Sequence, residues 1–245
     1  MMRRTYTLLL ACGLGCVAAT NAYAELPWIK GNAYEASSKQ KLYTELHYRA
    51  SPEATVSARV EYVDQSQELI VAKTLEYSDS LATPAIEQID YRNATKIFTR
   101  NTNAGVEVGY QRQGEPLRSS EIQRSERLVI DAGFDAYVRE HWEALQAGRT
   151  VRGEFLVPAR LDTVNIGISK TDLDDCEPSI EEALCLTVRP AGFLRVLTWF
   201  VDPLILAYDE QTQRLIQYKG ISNLLDDEGN TQDVLITYEY PQKIQ

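Results

Sequence analysis

Histidine is nearly missing from this chain. Only His47 and His141 occur in 245 residues. Neither lies in an HExxH pattern or beside a Ser-Gly or cysteine motif, so neither a zinc hydrolase nor a nucleophilic triad is signalled. GxGxxG, P-loop and CxxC patterns are absent as well. Their absence removes the local signatures of dinucleotide, nucleotide-phosphate and dithiol chemistry. No internal repeat, low-complexity tract or Pro/Gly/Ser-rich linker occurs, so neither a solenoid nor a jointed chain is indicated. Basic residues are in deficit: 25 Lys and Arg against 35 Asp and Glu give a net charge of −10. Such a chain is a poor partner for nucleic acid or an anionic membrane surface. No apolar run after residue 24 is long enough to span a bilayer.

What is present begins with a leader. Arg3 and Arg4 precede an apolar run, Thr7–Ala19, and Ala22-Tyr23-Ala24 forms an A-x-A cleavage site. The pattern predicts a secretory signal peptide over residues 1–24 and a periplasmic, β-rich single domain over 25–245. A lipoprotein signal ending at Cys12 is the competing reading, and it would leave a very short apolar core. Thr5-Tyr6 completes only part of a twin-arginine pattern, which favours the general secretory route. Cys12 and Cys16 belong to the leader, leaving Cys176 and Cys185 in CEPSIEEALC. In an oxidising compartment this pair predicts one disulfide closing a short loop, a contribution of about 2–3 kcal/mol. The spacing and the lack of a nearby histidine argue against a metal or redox pair.

Most of the remaining chain alternates with period two. Leu42, Leu46 and Tyr48 fall on one face of a first strand. Val56, Ala58, Val60 and Tyr62, then Leu69, Val71, Leu75 and Tyr77, form a hairpin around Asp64-Gln65-Ser66. Strands are also expected within 86–100 and 106–110, and over Val151–Val157, Leu161–Lys170, Ala183–Val188, Leu204–Tyr208, Arg214–Ser222 and Asp233–Tyr240. Glu25–Lys39 reads as a polar lead-in. The whole predicts a mainly β fold, an antiparallel meander of about ten strands forming a curved sheet, half-barrel or barrel.

One stretch breaks that period. In Leu128–Gly148, Phe134, Val138, Trp142 and Leu145 step by 4, 4 and 3 residues, onto one side of a helix. Asp131 and Asp135 lie where the dipole favours negative charge, and Gly148 stands at the position of a left-handed C-cap. An isolated helix this short is marginal in water, so its stripe is expected to close one face of the sheet. A second stretch, Phe193–Val201, is apolar on nearly every side and bounded by Pro190 and Pro203. A short helix and a buried strand both fit it, as a core segment or as an apolar gate.

The polar candidates have plain structural readings beside the functional ones. His47 and His141 read as hydrogen-bonded boundary residues. The acidic runs at Asp172–Glu177 and Asp226–Glu228 read as solvated turns, since neither follows the calcium-loop pattern. Fourteen tyrosines suit strands in general and equally suit the rim of a ligand groove.

The segments YDEQTQRLIQYKGISNLLDDEGNTQDVLITYEY and VIDAGFDAYVREHWEALQAG look like those of uncharacterised exported proteins of Gram-negative bacteria. The overall plan resembles the periplasmic lipoprotein carriers, the Lol-type half-barrels. That resemblance implies a curved antiparallel sheet with helices in its concave face over an apolar cavity. The acidic loop and the cysteine pair depart from that pattern, and no ligand residue carries over. The expectation is therefore a non-enzymatic periplasmic binding or carrier protein for a lipid-like or other apolar ligand. Phe134, Val138, Trp142, Trp199 and Phe200 are its candidate ligand-binding residues, and no catalytic residue, metal or cofactor is expected. An envelope-polymer hydrolase using paired carboxylates and an envelope assembly factor are the alternatives.

Overall fold

The computed structural model describes residues 26–49, 51, 54, 56–176, 182–191 and 203–241. The expected leader, residues 1–24, and the apolar stretch 193–201, with Trp199 and Phe200, lie outside the described residues.

The fold is mainly β, and every described strand belongs to one sheet of fifteen strands. The first half is β1 (Ile29–Glu35), β2 (Lys41–Tyr48), β3 (Arg59–Val63), β4 (Leu69–Glu76), β5 (Ala85–Asp90), β6 (Thr95–Asn101), β7 (Gly105–Gln111) and β8 (Arg118–Gln123). The second is β9 (Leu128–Val129), β10 (Val151–Val157), β11 (Asp162–Lys170), β12 (Ala183–Pro190), β13 (Leu204–Asp209), β14 (Leu215–Ile221) and β15 (Asp233–Glu239). Each half is a meander, and they meet where β1 pairs antiparallel with β15. The order is β8-β7-β6-β5-β4-β3-β2-β1-β15-β14-β13-β12-β11-β10-β9, with only the β9–β10 pair parallel. β8 and β9 form the two edges and do not pair with each other, so the sheet is open. Residues 124–127 join them directly.

Fifteen strands replace the expected ten or so, and the extra ones have weak alternation. β1 was expected to be lead-in; it is the centre of the sheet. It carries little bulk because Tyr238 lies over Gly31, where a Cβ would stand 2.8 Å from the ring. β8 is exposed or half-exposed at all six positions, as an edge strand is. β9 is only two residues long.

The expected single helix is also corrected: it is two, α1 (Gly133–Glu140) and α2 (Trp142–Gln146), with a break at His141. There the amide is shared between the carbonyls of Tyr137 and Val138, and ring Nδ1 donates to the Tyr137 carbonyl at 3.0 Å. A side chain competing for an i−4 carbonyl interrupts a helix ladder. Gly148 ends the unit with φ +75°, the left-handed conformation that suits glycine after a helix.

The helices lie across one face of the sheet. Val138, Trp142 and Leu145 pack with Ile166, Ile168, Leu184 and Leu186 into one buried cluster. Tyr43, Val60, Val71, Ile86 and Val106 build another on the first meander. Cys176, in the short α3 (Leu173–Cys176), and Cys185 of β12 stand at disulfide distance, Cα atoms 6.2 Å apart, against Ile205 and Ala207 on the opposite face.

An ion pair ties the two halves together. Lys73 of β4 is 2% exposed and donates to both Asp131 oxygens at 2.8 Å, just before α1. Asp131 itself has φ +45°, a strained conformation for a residue with a side chain. Lys73→Met leaves that carboxylate without its cation and is expected to lower the unfolding free energy by about 3 kcal/mol, the low end for a broken buried pair because solvent reaches Asp131. Urea denaturation should show Lys73→Met/Asp131→Asn recovering more than half of that loss; a single mutant within about 0.5 kcal/mol of the parent would contradict the role given to this pair.

Candidate functional site

Between the helices and the sheet lies a cavity of about 410 Å³, within the usual range for small-molecule sites. Most of its lining is apolar: Val60, Ile86, Leu156, Leu206 and Leu224 from the sheet and its loops, Phe134 from α1, and Phe155 from β10. The Phe134 and Phe155 rings meet edge-on at 6.3 Å. Seven tyrosines, half of those in the chain, also line it.

The polar groups of the wall are mostly held in pairs. Lys73 pairs with Asp131, and its Nζ lies 5.5 Å from the centre of the Tyr62 ring. Burial opposes the lysine's charge, yet Asp131 and Tyr62 outweigh it and hold the pKa above its ordinary value. Burial pushes the Tyr62 hydroxyl up to about 12. The hydroxyls of Tyr43, Tyr208 and Tyr238 are raised by the same cause, so these groups stay neutral at physiological pH.

Glu45, His47 and Ser57 form a chain on another part of the wall. Glu45 Oε2 lies 3.2 Å from His47 Nε2 and accepts from the Tyr238 hydroxyl at 3.2 Å. His47 Nδ1 is 3.1 Å from Ser57 Oγ. Asp90 accepts from Arg92, whose guanidinium also reaches Asp227 and the Leu225 carbonyl, pinning the loop after β14 beside the cavity.

Asp135, on α1, differs from these. Oδ2 accepts from Arg139, one turn on, and Asp135 is among the residues that line the cavity. Burial raises its pKa above the ordinary carboxylate value, against the opposing effects of Arg139 and of a hydrogen bond from the Tyr208 hydroxyl.

Comparison with known proteins yields nothing. No family model, curated protein or solved structure matches this chain. What the site can do rests on its own geometry.

Among the expected ligand-binding residues, Phe134 lines the cavity. Val138 and Trp142 do not: both are buried behind it, with Trp142 edge-on to Tyr208 at 5.9 Å. Trp199 and Phe200 lie outside the described residues. Of the acidic runs, Asp226 caps its own turn, its carboxylate accepting from the amides of Glu228 and Asn230. No group of three His, Cys, Asp or Glu side chains among the described residues is placed to hold a metal ion.

Sequence reasoning missed Glu45, Lys73 and Asp131 as wall residues. On β2 the sequence groups Leu42, Leu46 and Tyr48 on one face; the cavity receives Glu45 and His47, beside buried Tyr43. Lys73 carried a signal that could have been used, a lone charge between Val71 and Leu75 on the inward face of β4.

The raised pKa of Asp135 sets a pH dependence opposite to that of a salt-bridged carboxylate. When the folded pKa lies above the unfolded one, the folded state binds the extra proton, so stability increases as pH falls through the folded value. Thermal melts of the parent and Asp135→Asn between pH 7 and about 4 should show the parent gaining on the variant toward acid. A parent that loses ground as pH falls would contradict the assignment.

Proposed function

We propose that this protein is a periplasmic carrier that holds a lipid-like, apolar ligand between its curved sheet and α1. The observation that carries the reading is the 410 Å³ cavity itself, apolar over most of its lining and closed on one side by Phe134. Each methylene moved from water into such a lining is worth about 0.8 kcal/mol, so a medium-length alkyl chain gains enough to offset the cost of association. The A-x-A leader and the cysteine pair suit an exported chain, and no described helix is long and apolar enough to cross a membrane. The sheet-over-helix arrangement is also what the likeness to Lol-type carriers implies. Protein purified from periplasm is expected to appear in native mass spectrometry partly as an adduct with an apolar small molecule that solvent extraction removes. A single species at the bare chain mass before extraction would contradict the reading.

A second reading rests on the Ser57–His47–Glu45 chain. Its connectivity is that of a nucleophile, a base and an orienting carboxylate. In that reading the cavity is the acyl pocket of an ester hydrolase. Ser57 Oγ bonds to the ester carbonyl carbon as its proton passes to His47, the alcohol leaves with that proton, and water then cleaves the acyl-serine. A fluorophosphonate probe should then label Ser57 and fail on Ser57→Ala and His47→Ala; an unlabelled parent would remove this reading. The paired-carboxylate alternative has less support, because Glu45, Asp90 and Asp131 each already accept from a neighbouring side chain.

A further inference from the structure

Each acid in the cavity wall already has a donor. Lys73 holds Asp131, Arg139 holds Asp135, and Arg92 holds Asp90. Glu45 accepts from the Tyr238 hydroxyl and lies beside His47. The basic residues of the wall are not matched in the same way. Arg189 turns to the Thr187 hydroxyl of its own strand. Arg112, which follows β7, lines the cavity and is exposed, so it marks where the cavity meets solvent. Its Nε donates to the Tyr110 hydroxyl at 3.2 Å. Glu115 is close enough to act on its charge, but Arg112 forms no ion pair among the described residues, and its two terminal nitrogens face no acceptor there.

A second guanidinium stands beside it. β7 and β8 pair Tyr110 with Arg118, and direct partners across a ladder share one face. Tyr110 is buried and lines the cavity, so Arg118 is on the inner face as well. Its guanidinium carbon lies 5.5 Å from the centre of the Tyr110 ring. Arg118 is exposed and in no ion pair among the described residues. Two arginines thus flank one tyrosine at the cavity mouth without an acidic partner, in a chain of net charge −10. The end nitrogens of a guanidinium match the two oxygens of a carboxylate or a phosphate. An anion at the mouth displaces no existing partner and keeps part of its water, so it escapes most of the cost of a buried charge. A cationic head would meet two like charges.

We infer that Arg112 and Arg118 form a headgroup subsite for an anionic amphiphile, a carboxylate or phosphate whose alkyl chain enters the cavity past Tyr110. The inference rests on the carrier reading and names the ligand class that reading leaves open. Arg112 binds the head end-on, Arg118 adds charge, and Tyr110 fixes both arginines while closing the wall below them. Ile97, opposite Tyr110 on β6, is among the apolar residues of the lining that the chain meets first.

Four probes with one chain and different heads separate the outcomes: decanoate, decyl phosphate, 1-decanol and decyltrimethylammonium. Titration calorimetry on solvent-extracted protein at about pH 8, where both acids are ionised, is expected to show at least one anion binding about ten-fold more tightly than decanol, the scale of one charge-assisted hydrogen bond. Which anion does so tells a carboxylate head from a phosphate head. Arg112→Gln and Arg118→Gln should each bring that ratio below about three-fold. Arg100→Gln removes the same charge from an exposed arginine stacked on Phe98, away from the cavity lining, and should leave the ratio at about ten-fold. Decanol or the trimethylammonium probe binding as tightly as both anions, or a ratio that Arg112→Gln does not move, overturns the subsite and leaves the carrier reading intact. No binding of any probe by folded protein overturns both.

Discussion

The structure depends on where α1 is held, and that is set by one buried ion pair. Lys73 comes from β4 in the first meander; Asp131 comes from the segment leading out of β9 in the second. Between them they fix the start of the helix above a sheet whose two edges are not hydrogen-bonded to each other. Buried pairs contribute little net stability, because desolvation consumes most of the Coulombic gain. What such a pair supplies here is position. Asp131 accepts a left-handed backbone to reach Lys73, and the chain turns into Gly133 and Phe134 from there. Apolar packing alone would let the stripe of α1 slide along a greasy surface; a charge that must meet its partner does not slide.

The cavity follows from that placement. Val138, Trp142 and Leu145 bury themselves against the second meander, while the residues of the first meander cluster with Leu128, Leu156, Val234 and Ile236. The space between is bounded by Phe134 and Phe155 on one side and by Val60 and Ile86 on the other. Charges in its wall are mostly neutralised by neighbours, which leaves a low-polarity interior.

Much of the fold was legible in the sequence, for a physical reason. From β10 to β15 the strands fall within two residues of where apolar runs, period two and turn residues put them, because clear turn residues bound each one. The stripe Val138, Trp142 and Leu145 was legible as a buried helix face for the same reason. β1 was not, since its place at the centre of the sheet depends on Tyr238, more than two hundred residues away, occupying the space above Gly31. β8 was not, since an edge strand has no apolar face to read. The candidate site was less legible still. Of the expected ligand residues within the described part, Phe134 lines the cavity, while Val138 and Trp142 pack into the layer behind it. Glu45 and Asp131 identify themselves as wall residues only when strands distant in sequence are brought together.

The proposed carrier role requires that the space beneath α1 receive an alkyl chain. A crystal grown with an ω-brominated alkyl alcohol tests it directly, because bromine is located by anomalous scattering without reference to any model. The carrier role predicts one bromine site among the cavity residues Leu156, Leu206 and Leu224. Phe134 and Phe155 closed together over a filled interior, with bromine only on the outer surface, would contradict it.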